Sequence, residues 1–228
     1  MDSEEFSFSD HMASTIHDMK NSLMLQTHAL ESVANQFRQK GDTESMRQMA
    51  GIVHEAHRMN SNLIQLLALY KFDKAIYPMD EQEHCLRDIV EDAVSQGKSS
   101  IAYKGIHVDI DCADDLFWYV DRDLIVGILV NALNNAYNYT KDCVRVIARS
   151  HDQWLELRVE DNGTGYPERM LMNGMAQQGV RFASGSTGLG FHFAARAARM
   201  HKNGNRQGAL TIENGGTLGG GCFVVHLP

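Results

Sequence analysis

Residues 7–73 contain no proline, and Gly41 and Gly51 are their only glycines. Proline and glycine are the usual helix breakers, so a stretch this long with so few of them is open to long helices. Its apolar residues follow 3-4 spacing: Met12, Ile16, Met19 and Leu23, then Leu30, Val33 and Phe37, with Gln26 the one polar break. That periodicity draws a seam along one helix face. Gly41 stands where a C′ glycine ends a helix, and Asp42 or Thr43 can cap the next one. From Met46 the second helix carries two overlapping apolar stripes. One runs through Met49, Ile52, Ala56, Met59, Leu63, Leu66 and Tyr70; the other adds Met46, Val53 and Leu67. A helix apolar on more than one side needs more than one neighbour. One hairpin supplies a single neighbour, so the pattern predicts a homodimer in which two hairpins form a four-helix bundle. Packing of the hairpin on the rest of its own chain is the alternative.

The texture changes after a linker, Phe72 to Glu81, which contains Pro78. Beyond it the pattern predicts helix over Glu83–Gln96 and strands over Ile106–Ile110 and Leu116–Val120. A helix follows over Asp121–Tyr139, then strands over Cys143–Arg149 and Trp154–Glu160. Tyr166–Gly185 is loop-rich, Gly188–His201 is helical, and Ala209–Glu213 and Cys222–Leu227 are the last strands. The expected fold class is α+β. It has an antiparallel helical hairpin over 1–76, which dimerises into a bundle. An α/β sandwich over 77–228 follows, its mixed sheet covered by helices on one face.

Charge and composition exclude several functions. Hydrophobic residues make up 43% and charged residues 22%, as in a soluble globular protein. A net charge of −8 argues against a nucleic-acid partner, which demands basic clusters. No apolar run approaches the ~18 residues of a membrane span. The acidic start, Met1-Asp-Ser-Glu-Glu5, is unlike a signal peptide. Cys85, Cys112, Cys143 and Cys222 lack CxxC spacing and read as reduced thiols, so the expected location is cytoplasmic. His54 and His57 have the i,i+3 spacing of metal ligands, but no second pair completes a set, and an interhelical or solvated face is the better reading.

Two segments carry the chemistry. In the first, Asn131-Ala-Leu-Asn-Asn135-Ala-Tyr-Asn138-Tyr139, Asn131 and Asn135 share a helix face at i,i+4. Asparagine is a mediocre helix former, so four in eight residues are not there for propensity. An amide oxygen is a suitable neutral ligand for Mg²⁺; solvated surface amides are the bland alternative. The second segment, Asp161-Asn-Gly-Thr-Gly165, ends a strand. A carboxylate there can accept a hydrogen bond from the exocyclic amine of adenine, and the glycines let backbone approach the ring. A simple turn is the alternative. Gly185-Ser-Thr-Gly188-Leu189-Gly190 then opens a helix, whose free N–H groups suit phosphate.

In this order the three segments resemble the N, G1 and G2 boxes of the ATP-binding domain of sensor histidine kinases, within the wider gyrase, Hsp90 and MutL group. The resemblance covers Asp80 to Pro228. It implies ATP and Mg²⁺, with Asn135 on the metal and Asn131 beside it. It also implies Asp161 on adenine, Tyr139 lining the site, and Gly163, Gly165, Gly188, Leu189 and Gly190 shaping the pocket and lid. Two departures stand out. Asn138 replaces a lysine that neutralises phosphate in many relatives, which leaves Arg181 or Lys141 as substitutes. The aromatic-rich F box is reduced to Phe182.

The first helix chooses the reaction. His17-Asp18-Met-Lys-Asn21 resembles the phosphoacceptor H box of the same kinases. It implies autophosphorylation of His17 assisted by Asp18, then transfer to an aspartate of a response regulator receiver domain. Asp18 and Asn21 also fit the spacing of the face that hydrolyses a receiver's aspartyl phosphate. Ser22 replaces the usual helix-kinking proline, so a straighter helix is expected. An ATP-sensing phosphatase or docking module is the alternative, and a chaperone- or topoisomerase-like ATPase is a third option.

Overall fold

The computed structural model describes residues 8–97, 104–172 and 188–228, with the side chains of residues 8–13 and 17 outside that description. The chain divides into two compact units, residues 1–77 and 78–228.

The first unit is a pair of long helices, α1 (Phe8–Lys40) and α2 (Thr43–Asp73). Gly41 at φ +70° makes the turn, and the Asp42 carboxylate accepts the Ser45 N–H at 3.1 Å to cap α2. Ile16, Thr27, Val53 and Ala56 are buried in the hairpin. Thr27 takes the seam place expected to break at Gln26. It hides its polarity by donating its hydroxyl to the Leu23 carbonyl at 2.8 Å. His57 Nε2 lies 2.9 Å from Glu31, so this histidine does lie on the interhelical side. The stripe through Ile52, Met59 and Leu66 on α2 stays largely open: these three are exposed, and so is Met19 of the expected seam. Among the described residues no helix is long and apolar enough to cross a membrane, and no cluster of acids, histidines and cysteines could hold a metal.

The second unit begins with β1 (Glu81–Cys85) and α3 (Leu86–Gln96). It continues through β2 (His107–Cys112), β3 (Phe117–Asp121), α4 (Arg122–Tyr139), β4 (Cys143–His151) and β5 (Trp154–Asp161). A short α5 (Glu168–Met172) follows, then α6 (Leu189–Met200), the small strands β6 (Lys202–Asn203) and β7 (Arg206–Gln207), and β8 (Ala209–Gly215) and β9 (Gly220–Leu227). Five strands form one sheet in the order β2-β4-β5-β9-β8, parallel only between β2 and β4. Alternation sorts its faces. Val144, Val146, Leu155, Leu157, Val159, Phe223 and Val225 are buried with the apolar sides of the helices. The other face carries Arg145 on Asp109 at 2.7 Å, Arg149 on Asp111 at 2.6 Å and Arg158 on Glu213 at 2.6 Å. These half-exposed pairs screen Ile147 and Val224 more than they stabilise.

Two elements depart from expectation. Residues 83–85 were expected to start a helix but belong to β1, which pairs antiparallel with β3. The Leu86 N–H bonds the Leu116 carbonyl at 2.9 Å, so long-range pairing overrides a local pattern with few strand formers. The β6–β7 hairpin was not anticipated, because neither strand has an apolar alternation to read.

Candidate functional site

Helix α4 starts where β3 ends. Asp121 closes the strand and caps the helix, Oδ1 accepting the Leu124 N–H at 3.1 Å. Leu124, Ile125, Ile128, Leu129 and Leu133 are buried and fix the rotation of the helix. That rotation buries Asn131, half-buries Asn135 and leaves Asn138 and Tyr139 exposed. Asn131 presses against the first turn of α6: a Cβ on Gly190 would sit 1.9 Å from Asn131 Oδ1. Its Nδ2 is buried with no hydrogen-bond partner among the described residues. A buried amide without a partner is costly, so the atom is suited to a ligand. Gly188, at φ +66°, caps α6.

Asp161 ends β5 and is buried. Its Oδ1 accepts the N–H of Gly163 at 2.7 Å and of Gly221 at 3.3 Å. Oδ2 takes no hydrogen bond among the described residues, which leaves it for a donor outside the chain. The surroundings are backbone: a Cβ on Gly220 would come within 2.6 Å of Oδ1, and one on Gly221 within 2.9 Å of Oδ2. Only glycines let the backbone come this close to the carboxylate. Gly163 packs on the end of α4, where a Cβ would fall 2.1 Å from the Tyr139 carbonyl oxygen. The structure thus joins Asn131 to Gly190, and Asp161 and Gly163 to the Tyr139 backbone. Arg181, Phe182 and Gly185 lie outside the described residues. Lys141 is exposed, its backbone N–H on Asn162. His17, Asp18 and Asn21 belong to α1 of the other unit; the His17 side chain lies outside the described residues, Asp18 is exposed and Asn21 is half-buried.

Three contributors escaped the sequence reading. Asn162 Oδ1 accepts the Thr140 hydroxyl at 2.8 Å and the N–H groups of Lys141, Asp142 and Cys143 at 3.1–3.2 Å. It closes the loop that follows α4. Asn214 on β8 clasps the other end of the glycine turn, Oδ1 accepting the Tyr166 N–H at 2.6 Å and Nδ2 donating to the Tyr166 carbonyl at 2.9 Å. Gly165 makes room for it, at φ +76° and with a virtual Cβ 2.6 Å from Oδ1. Glu160 is buried beside the site. Burial pushes its carboxyl up, but the hydroxyl and N–H of Thr217, with Arg158, pull it below its ordinary range. Nothing in the sequence joins Asn162 or Asn214 to partners so far away. The only signal is an amide beside a glycine.

The Gly163 contact gives a prediction. Gly163→Ala sets a methyl against a backbone oxygen that cannot rotate aside. Overpacking of this kind costs about 1–3 kcal/mol. The Tm without nucleotide should fall by roughly 3–10 °C in a unit this size. Calorimetry showing a shift of less than about 1 °C would contradict the contact.

Comparison with known proteins agrees with this geometry. The pattern of the histidine kinase-, DNA gyrase B- and HSP90-like ATPases matches residues 120–228, and that segment belongs to the family. The wider chain is similar to the signal transduction histidine-protein kinase AfsQ2 of Streptomyces coelicolor, 28% identical over 78% of this chain and 32% of the relative. It is also 30% identical to the sensor protein CitS of Halalkalibacterium halodurans, over 77% of this chain and 35% of the relative. The chain spans about a third of the length of these two relatives. Solved structures share the fold. Full-length ShkA in complex with AMPPNP superposes at TM-score 0.60 with 16% identity, covering 88% of this chain and 45% of that one. The catalytic domain of histidine kinase ThkA gives 0.55 with 19% identity, over 66% and 96%.

Proposed function

We propose that the chain autophosphorylates a histidine from ATP and passes the phosphoryl group to a response regulator. Residues 1–76 serve as dimerisation and phosphoacceptor unit, and residues 77–228 hold the nucleotide. The observation that carries this reading is the glycine-walled carboxylate of Asp161, set at the end of the same helix α4 that buries the unpartnered amide of Asn131. Oδ2 of Asp161 accepts the adenine amine, and Asn131 with the start of α6 receives the phosphates. Mg²⁺, held through the amide oxygen of Asn135, would neutralise phosphate charge. A ring nitrogen of His17 bonds the γ-phosphorus as its bond to the bridging oxygen breaks. ADP leaves with that electron pair, and the imidazole proton passes to Asp18. Positioning and charge neutralisation supply most of the rate.

The open stripe on α2 supports a homodimer. Ile52, Met59 and Leu66 are exposed along it. A second hairpin would cover them. Incubation with γ-labelled ATP tests the reading: acid-labile, alkali-stable label on the chain is expected, and a chain that binds ATP without acquiring it overturns the kinase.

Asn138, exposed where relatives carry a lysine, favours a second reading, an ATP-sensing phosphatase or docking module. It predicts ATP binding without phosphohistidine, and dephosphorylation of a phospho-receiver that Asn21→Ala abolishes.

A further inference from the structure

We propose that Asp121 and His201 are positioning residues that set the nucleotide site from the far end of its two helices. This rests on the reading of Asn131, Gly190 and Asp161 as the ATP site. Helices α4 and α6 run antiparallel, side by side. At one end Asn131 meets Gly190. Midway, a Cβ on Gly127 would lie 3.1 Å from the Phe193 ring, so the helices touch closely there too. At the other end, about 15 Å from Asn131 along α4, the imidazole of His201 meets the residue that begins α4.

Its geometry is complete on every side. His201 is 2% exposed. Nδ1 lies 3.0 Å from the Ala197 carbonyl, an acceptor only, so the ring proton sits on Nδ1. Nε2 is then left with its lone pair, which accepts the Asp121 N–H at 3.1 Å. The His201 carbonyl accepts the Gly208 N–H at 3.0 Å. Asp121 is equally occupied. Oδ1 caps α4 on the Leu124 N–H, and Oδ2 accepts the Asp80 N–H at 3.2 Å. Asp80 opens the second unit in sequence, seven residues after α2 ends at Asp73. One residue therefore holds the incoming chain, the start of α4 and the end of α6. The face that Asn131 offers Gly190 depends on how α6 lies on α4. A shift at the His201 end is transmitted along rigid helices to that contact.

Protonation breaks the junction. An imidazolium would set an Nε2 proton against the Asp121 N–H, donor against donor. The charged groups facing the ring are the carboxylates of Asp121 and of Glu81 on β1. From α6 it faces the Ala197 and Ala198 carbonyls. Burial outweighs these acids and carbonyls and lowers His201 below its ordinary value of 6.5. The folded unit keeps the ring neutral while the unfolded chain protonates it. The junction is thus intact above about pH 6.5 and is lost as pH falls through the lower folded value.

The test uses the full chain, with calorimetric titration of an ATP analogue and thermal unfolding without nucleotide. His201→Gln retains an acceptor oxygen for the Asp121 N–H; His201→Leu does not. The expected result is a loss of affinity of roughly tenfold or more in His201→Leu, since a buried N–H is left unpaired. His201→Gln should stay within about threefold of wild type near pH 7.5. Wild-type affinity should fall only on the acid side, below about pH 6.5, and the glutamine variant should show little of that fall. Equal affinity in the wild type and a folded His201→Leu overturns the inference. If the leucine variant does not fold, the pH profiles decide: an acid-side loss that persists in His201→Gln overturns it. A wild type that binds no nucleotide would instead overturn the ATP reading on which it rests.

Discussion

His17→Gln is expected to take up no acid-labile label from γ-labelled ATP, yet to bind nucleotide within about twofold of wild type. Glutamine approximates the reach of histidine and is tolerated in a helix. Its amide nitrogen has no available lone pair, so no bond to phosphorus forms. The loss is complete because the covalent acceptor is gone. ATP affinity is preserved because the groups proposed to hold it belong to the other unit. Asp18→Asn should behave differently. It removes a proton acceptor, which typically contributes about 10²–10⁴-fold, so labelling slows but persists. Unchanged label on His17→Gln would place the acceptor elsewhere and remove the kinase assignment from α1.

Asp161→Ala is expected to weaken ATP binding by about 10–100-fold, the range for removing a charged acceptor from a buried hydrogen bond. The substitution deletes the free Oδ2 that faces the ligand space. It also strips the acceptor from the Gly163 and Gly221 N–H groups, which loosens the glycine walls. Asp161→Asn separates these effects. It retains an oxygen for the two N–H groups and presents a donor to the adenine amine, so the Tm should survive while affinity falls. Calorimetric titration against ATP checks both variants. An asparagine variant that binds as wild type would mean that Oδ2 does not read the base.

The helices of the first unit were legible because nothing breaks them and their period is plain. Which stripe packs inward was not. Met19 belongs to the periodic seam but is 52% exposed, while Thr27 is buried because a hydroxyl can return to its own helix. The sheet strands were readable from their alternation. Strand β1 was not, since its residues favour no strand and only pairing with β3, more than thirty residues on, makes one. In the site, the order of Asn131, Asp161, Gly163 and Gly190 could be recognised because each lies in a short dense pattern. Asn162, Asn214 and the Asp121–His201 junction could not. Their partners lie from about 20 to 80 positions away, and an isolated amide or imidazole carries no mark of its destination.

The Asn162–Gly163 step has a chemical consequence as well. In a relaxed chain, asparagine before glycine is the pair most prone to deamidate: the glycine nitrogen attacks the side-chain amide and a succinimide forms, a route to heat damage in proteins. Here the attacking nitrogen is turned away, its hydrogen held by Asp161 at 2.7 Å. The amide under threat is clamped by the loop it closes, with Nδ2 donating to Asp142 at 2.7 Å. The turn proposed to read adenine thus also shields the chain from its own ageing. Damage would compound itself, because an aspartate at 162 would oppose the Asp142 carboxylate and prise open the loop that had kept the reaction out.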